Sequence, residues 1–156
     1  MKYRILLFFL SLLAVSCVTV EVCDESNESD MVVRFKTLQD GVAVDSTLES
    51  LTLYGIKEGE NDTLYNALPT SGFLVPLDPH NDISRYVVQI NDQSDTLTVS
   101  YSHESYMISY TCGFASLFTI DDNIEWSSDV FKSDTILNDM IDAEYEENEE
   151  HIWFYL

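Results

Sequence analysis

Short apolar runs interrupted by polar residues recur along most of this chain, and within each run the apolar side chains fall on every second position. In "MVVRFKT", Val33 and Phe35 stand opposite Arg34 and Lys36, and in "SLTLYGI", Leu51 and Leu53 stand opposite Thr52 and Tyr54. Period two is the signature of a half-buried strand. "GFLVPLD" places Phe73, Val75 and Leu77 on one side and Pro76 on the other, which predicts a sheet edge or a strand end, because proline cannot donate to a ladder. "SRYVVQIN" and "TLTVSYS" flank "DQSD" and predict a hairpin in which Tyr86, Val88 and Ile90 pair with Leu97, Val99 and Tyr101 across a four-residue turn. "SYMISYTCGF" sets Tyr106, Ile108, Tyr110 and Cys112 on one apolar face, with Gly113 at a bulge or bend. After "FASLFTI" the acidic "DDNIEWSSD" predicts a loop, and "EEHIWFYL" predicts a closing strand with Ile152, Phe154 and Leu156 against Trp153 and Tyr155.

One segment carries a second period. In "DTILNDMIDAEYEENEE", Leu137, Met140, Ile141 and Tyr145 lie at helical spacing behind Asp134 as a cap, which taken alone spells a short amphipathic helix. Roughly eight short strands elsewhere, with frequent turns, favour strand here too, in an antiparallel arrangement. The expectation is a single all-β domain over residues 31–156, an antiparallel β-sandwich of immunoglobulin-like or transthyretin-like type. No internal repeat, low-complexity tract or linker divides it.

The first residues follow a different logic. Lys2 and Arg4 precede an apolar run from Ile5 to Val15, then Ser16 and Cys17. This is the order of a signal peptide over residues 1–16, and the run is well short of the ~20 residues a membrane-spanning helix needs. "LLAVSC" resembles a bacterial lipobox, in which the cysteine is lipidated and becomes the first residue. Cys17 is therefore expected to carry diacylglycerol, with residues 17–30 as lipidated terminus and short tether. Each buried methylene adds ~0.8 kcal/mol, so two or three acyl chains hold a protein stably. A membrane contact through this anchor is expected, in the outer membrane, facing the periplasm or the exterior.

Charge narrows the partners. The chain has 28 acidic residues, and without Lys2 and Arg4 only five bases oppose them. Such a domain repels phosphate backbones, which excludes nucleic acid. Hydrophobic residues at 46% and aromatics at 12% set it apart from an acidic disordered chain. With Cys17 committed to lipid, Cys23 and Cys112 remain as an even pair in an oxidising compartment, which argues for a disulfide. Closing so long a loop stabilises by roughly 4–5 kcal/mol on chain entropy. Two free thiols are the alternative; neither cysteine has a Cys or His neighbour at metal-ligand spacing. Only Val18 to Val22 would then separate the lipid from the bridge, a span on the order of 20 Å that holds the domain against the membrane.

The lipobox cysteine, the cysteine soon after it, "LYGI", "DTLTVSY", "CGF" and the closing "EEHIWFYL" together resemble a family of small uncharacterised lipoproteins of Bacteroidota, a domain-of-unknown-function family. The resemblance spans the mature chain. It implies an envelope location, a paired-cysteine layout and strand over Asp139 to Tyr145, and it implies no activity. The acidic "EYEENEE" departs from the family pattern.

Candidate chemistry is sparse. There is no G-x-S-x-G elbow, and His80, His103 and His151 read as surface residues of turns and strand ends. With so many acids, a pair at glycosidase spacing would arise by chance. Calcium takes several hard oxygen ligands, and Asp121, Asp122, Glu125 and Asp129, or Asp78 and Asp82, offer them without matching an EF-hand loop. Asp45-Ser46-Thr47, Asp62-Thr63-Leu64, Asp95-Thr96-Leu97 and Asp134-Thr135-Ile136 look like O-glycosylation sites of envelope proteins of that bacterial group, at Ser46, Thr63, Thr96 and Thr135, although Asp in a turn followed by Thr entering a strand has the same spelling. Tyr54, Trp153 and Tyr155, opposite the apolar faces, suggest an aromatic patch. No catalytic residue, resident metal or cofactor is expected. The function expected is a non-catalytic envelope module that binds a protein or glycan; the alternatives are an envelope hydrolase or a calcium-dependent structural surface protein.

Overall fold

In the computed structural model the alternating segments become strands. It describes residues 23, 28–57, 60–91, 93–127, 130–143 and 149–156, with only the backbone of Glu60 and Asn123. The leader, Cys17, Asp129 and the acidic run 144–148 lie outside the described residues. In chain order the strands are β1 (Asp30–Gln39), β2 (Val42–Asp45), β3 (Leu48–Lys57), β4 (Glu60–Thr70), β5 (Gly72–Pro76), β6 (Ile83–Ile90), β7 (Gln93–Ser109), β8 (Gly113–Trp126), β9 (Ser133–Ile136), β10 (Met140–Ile141) and β11 (Ile152–Tyr155). One sheet runs β2-β1-β11-β9, with β5 also paired to β1; the other runs β10-β8-β7-β6-β3-β4.

The two sheets form the expected β-sandwich. Val33, Phe35 and Phe154 from the first meet Leu53, Val88 and Leu97 from the second in one core. Burial of side chains this size stabilises by about 1.5–3 kcal/mol each. Phe131 stacks between Phe35 and Phe154, at centroid distances of 6.2 and 4.4 Å. Pro76 ends β5, which pairs only with β1, as proline at a sheet edge requires. Gly72 fits there because its backbone presses on β1: a Cβ would meet the Val33 carbonyl oxygen at 2.1 Å.

The sheets are not purely antiparallel. β11 lies parallel to β1, with Val33 opposite Ile152 and Phe35 opposite Phe154, and antiparallel to β9 on its other side. Period two in "EEHIWFYL" predicts a strand but not its direction.

Three turn assignments also change. The β6–β7 hairpin forms, but Ile90 pairs with Gln93 and Asn91 turns the chain at φ 55°, so Gln93, Ser94 and Asp95 of "DQSD" are strand. Tyr86 pairs with Leu97 as expected, whereas Val88 pairs with Asp95. The first six residues of the acidic "DDNIEWSSD" are not a loop, because β8 continues through them to Trp126; Ile124, 4% exposed, holds that stretch against the core. β7 ends at Ser109, so Tyr110 does not share an apolar face with Ile108 but stands in the turn, 98% exposed. Gly113, at φ 80°, closes that turn.

In the ambiguous segment the described residues form two short strands, β9 and β10, with 137–139 and 142–143 outside any strand; positions 144 and 145 of the expected Asp139–Tyr145 strand lie outside the described residues. β9 pairs with β11 in one sheet and β10 pairs with β8 in the other, so the chain crosses the sandwich between Ile136 and Met140, and a helix there would forfeit both ladders. Cys23 and Cys112 form the disulfide, with Cα atoms 5.0 Å apart.

Two buried polar groups organise the core margins. Asp95, 1% exposed, accepts hydrogen bonds from the Ser127 amide and hydroxyl and from the amides of Val130, at 3.2 Å, and Phe131, at 3.3 Å. It thereby delivers Phe131 into the aromatic stack. Burial pushes its carboxyl up, but the converging donors more than offset this and hold it below the usual carboxylate range. His151 is not at the surface: it is 2% exposed, and its Nδ1 accepts the Val32 amide at 2.9 Å, joining β11 to β1. Its Nε2 lies 3.3 Å from Glu149 Oε1 without hydrogen-bond geometry. Burial pushes the imidazole pKa down, and the opposing pull of Glu149 and Asp142 does not reverse it.

Asp95→Ala leaves several inward donors unpaired and should lower stability by about 3 kcal/mol, read from the urea midpoint at constant slope. Because the folded pKa is depressed, the stability Asp95 contributes is complete above the unfolded carboxylate value near ~3.9 and is lost as pH falls through the lower folded value; Asp95→Asn should flatten that acid limb. His151 has the opposite charge logic. Its neutral form is favoured in the fold, so stability declines as pH drops through the unfolded value near ~6.5 toward the lower folded one. His151→Asn keeps an acceptor for Val32 and removes the titration. It should flatten the dependence of the midpoint on pH below the unfolded value near ~6.5.

Candidate functional site

An open groove forms where a ladder stops. β3 and β6 pair from Leu51 with Ile90 to Gly55 with Tyr86; beyond that point β3 continues to Lys57 and β6 extends back to Ile83 without mutual pairing. The separation, closed below by the Leu77–Asp82 loop, makes a groove of about 700 Å³. Lys57, Arg85, Asn81, Asp82 and the flanking apolar Ile56 and Ile83 line it.

Its rim is fixed from beneath. The Tyr101 hydroxyl donates to the Asp78 carbonyl at 3.0 Å, lies 2.7 Å from the Ser84 hydroxyl, and is the acceptor for the Asp78 amide. The Tyr86 hydroxyl donates to the Pro76 carbonyl. Burial pushes both phenols above their ordinary value, so both stay protonated donors. On the outer side the Asp78 carboxylate accepts the His80 amide and the Asn81 side-chain amide, each at 2.9 Å, and these bonds hold its pKa low. A turn carrying its own side-chain acceptor and tied to two strands is a preorganised rim.

The electrostatics of the groove stand out against those of the whole chain. Arg34 and Lys36 are committed to Glu150 and Asp45, and the Lys36 ammonium also sits 4.4 Å from the Trp153 ring centroid. Lys57, Arg85 and Lys132 form no ion pair among the described residues. Two of those three cations line this one groove beside Asp78 and Asp82, so its formal charge is balanced in a chain whose net charge is −21. Sequence reading singled out neither. The available signal was the rarity of bases outside the leader, but Lys57 and Arg85 stand 28 positions apart, and only the β3–β6 pairing makes them neighbours.

The expected site residues do not converge. Thr63, Thr96 and Thr135 are exposed on strands and Ser46 is half-buried between β2 and β3, its amide bonded to the Phe35 carbonyl. Asp95, read as part of a modification triplet, is the buried acceptor described above. Tyr54 belongs to one sheet and Trp153 and Tyr155 to the other, all on outward positions, so they cannot form a single patch. His80 lies 3.4 Å from Asp78 and His103 lies 3.5 Å from Asp82, both beside the groove's loop, while His151 is buried in the other sheet. Among the described residues no serine or cysteine is hydrogen-bonded to a histidine side chain, and no three His, Cys, Asp or Glu side chains gather as a cation site. Asp121, Asp122 and Glu125 are spread along β8.

No described helix is long and apolar enough to cross a membrane. Comparison with curated proteins and with solved structures gives no match. Residues 50–156 match a family described as "Family of unknown function (DUF6452)", a segment that holds the groove, the β7–β8 hairpin and β11, and the chain belongs to that family.

Proposed function

We propose that this protein is a lipid-anchored module of the cell envelope, held through Cys17, that binds an acidic envelope glycan in the β3–β6 groove without chemically altering it. The observation that carries the reading is the meeting of Lys57 and Arg85, two cations without an ion pair among the described residues, on one preorganised groove where Asp78 is already engaged by His80 and Asn81. An extended anion with hydroxyls suits it: the guanidinium and ammonium take carboxylate or phosphate, Asn81 takes hydroxyl, and Ile56 and Ile83 pack against the apolar face of a sugar ring. Acids elsewhere on the surface repel the same ligand, and Asp82 at the groove sets a limit on how much negative charge it accepts. The signal-like leader and the disulfide support an oxidising envelope compartment.

In titrations of the full lipidated chain in detergent against acidic and neutral oligosaccharides, acidic ones should bind and weaken as salt rises. Lys57→Glu with Arg85→Glu should weaken them at least about tenfold, equivalent to ~1.4 kcal/mol, whereas Lys132→Glu should not. Equal binding of neutral sugars, or an unchanged affinity in the double variant, rejects the groove. Anchoring is read from intact mass of the native protein: residues 17–156 plus acyl chains, absent in Cys17→Ala. Added hexose masses removed by Ser46→Ala, Thr63→Ala, Thr96→Ala or Thr135→Ala would mark the O-glycosylated positions.

A further inference from the structure

The β7–β8 hairpin is longer than the sheet around it. β6 pairs with β7 only as far as Ser100, and β10 pairs with β8 only at Phe118 and Thr119. From Ser102 to Ser109 the hairpin's ladder partner is its own other arm, so the tip projects on the order of 25 Å beyond the end of β6. Residues 105–120 contain no Asp, Glu, Lys or Arg, in a chain where 22% of residues are charged. At the tip Tyr110 is 98% exposed, Phe114 66% and Met107 50%, and Met107 and Phe114 are direct cross-strand partners. Water should not favour such a tip without something to receive it.

The course of the chain identifies the recipient. Cys23 is bonded to Cys112 in the tip turn, the Ser29 hydroxyl donates to the Ser116 carbonyl further down β8, and Asp30 then opens β1. The amino-terminal segment therefore runs from the tip toward the body, and everything before Cys23 departs from the tip. Five residues separate Cys23 from Cys17, so Cys17 can lie no more than about 20 Å from the tip.

We infer that the β7–β8 tip is a second membrane contact, in which Tyr110, Phe114 and Met107 seat in the interfacial layer of the same bilayer that holds the acyl chains on Cys17. This rests on the lipid-anchor reading. Aromatic rings favour the headgroup boundary, where an apolar body and a polar edge are both satisfied. An uncharged tip also directs the acidic body away from the membrane, and the bridge makes anchor and tip act together, since a tether this short keeps the tip at high effective concentration against the surface.

The test places Tyr110→Trp in the full lipidated chain, reconstituted in phosphatidylcholine vesicles with or without bromine on the upper acyl carbons. Emission is taken as the difference from the parent chain, which retains Trp126 and Trp153. The introduced indole should be quenched at least twofold by the brominated lipid, and adding Met107→Ser and Phe114→Ser should abolish most of that quenching. A chain that takes up labelled palmitate and floats with the vesicles, yet shows no quenching at position 110, overturns the tip contact and leaves the anchor standing. Blue-shifted but unquenched emission overturns it as well, because the tip is then covered by protein, such as a second copy. A chain that takes no palmitate and stays in the soluble fraction overturns the anchor reading and the tip contact with it.

Discussion

The parallel pairing of β1 with β11 is the constraint on which the sandwich depends. The first and last strands of the fold, joined by the Val32 to His151 hydrogen bond across 119 residues, close the middle of one sheet. Only when they are side by side do Phe35 and Phe154 enclose Phe131, and only then does β9 gain a partner. That partner carries the chain toward β10 and the opposite sheet. A neutral imidazole suits this place better than a lysine or carboxylate would, because it accepts from a buried amide without holding a desolvated charge.

Excess negative charge is handled by position rather than by pairing. Most acids among the described residues occupy exposed positions of strands or turns, where water solvates them, and few cations are available to neutralise them. Asp95 is the exception, and it is stabilised inside by neutral donors from the 127–131 segment instead of a base. Arg34 and Lys36 gather Glu150, Asp45 and Trp153 on the outward side of β1, β2 and β11, bracing the same closure from its wet face. The cations left over are thereby conspicuous, and the groove holds two of them.

The register also relates the proposed groove and the proposed membrane contact. Ile83 pairs with Ser100, so the groove-forming start of β6 lies at the end of its sheet from which β7 runs out to the hairpin tip. A tip seated in a bilayer would leave the groove on the membrane-facing end of the domain, roughly 25 Å above the surface, within reach of glycans attached to or lying along that membrane.

Strand content, the core faces of β1, β3, β5 and β11, the placement of Pro76 and the pairing of Cys23 with Cys112 were legible in the chain, because period two and cysteine count are local or combinatorial properties. The mistaken loop at Asp121–Glu125 shows where local reading fails: acids look like turn residues until Ile124 and Trp126 find partners across the ladder. His151 was read as a surface group and Asp95 as a turn residue for the same reason, since burial of a polar side chain depends on donors or acceptors that come from far along the chain. By itself the sequence determined an acidic, stapled, all-β domain. The parallel closure, the groove uniting Lys57 with Arg85, and the bare hairpin tip beside the Cys23 bridge were decided only by tertiary structure, because each is a distance between residues whose proximity no local pattern encodes.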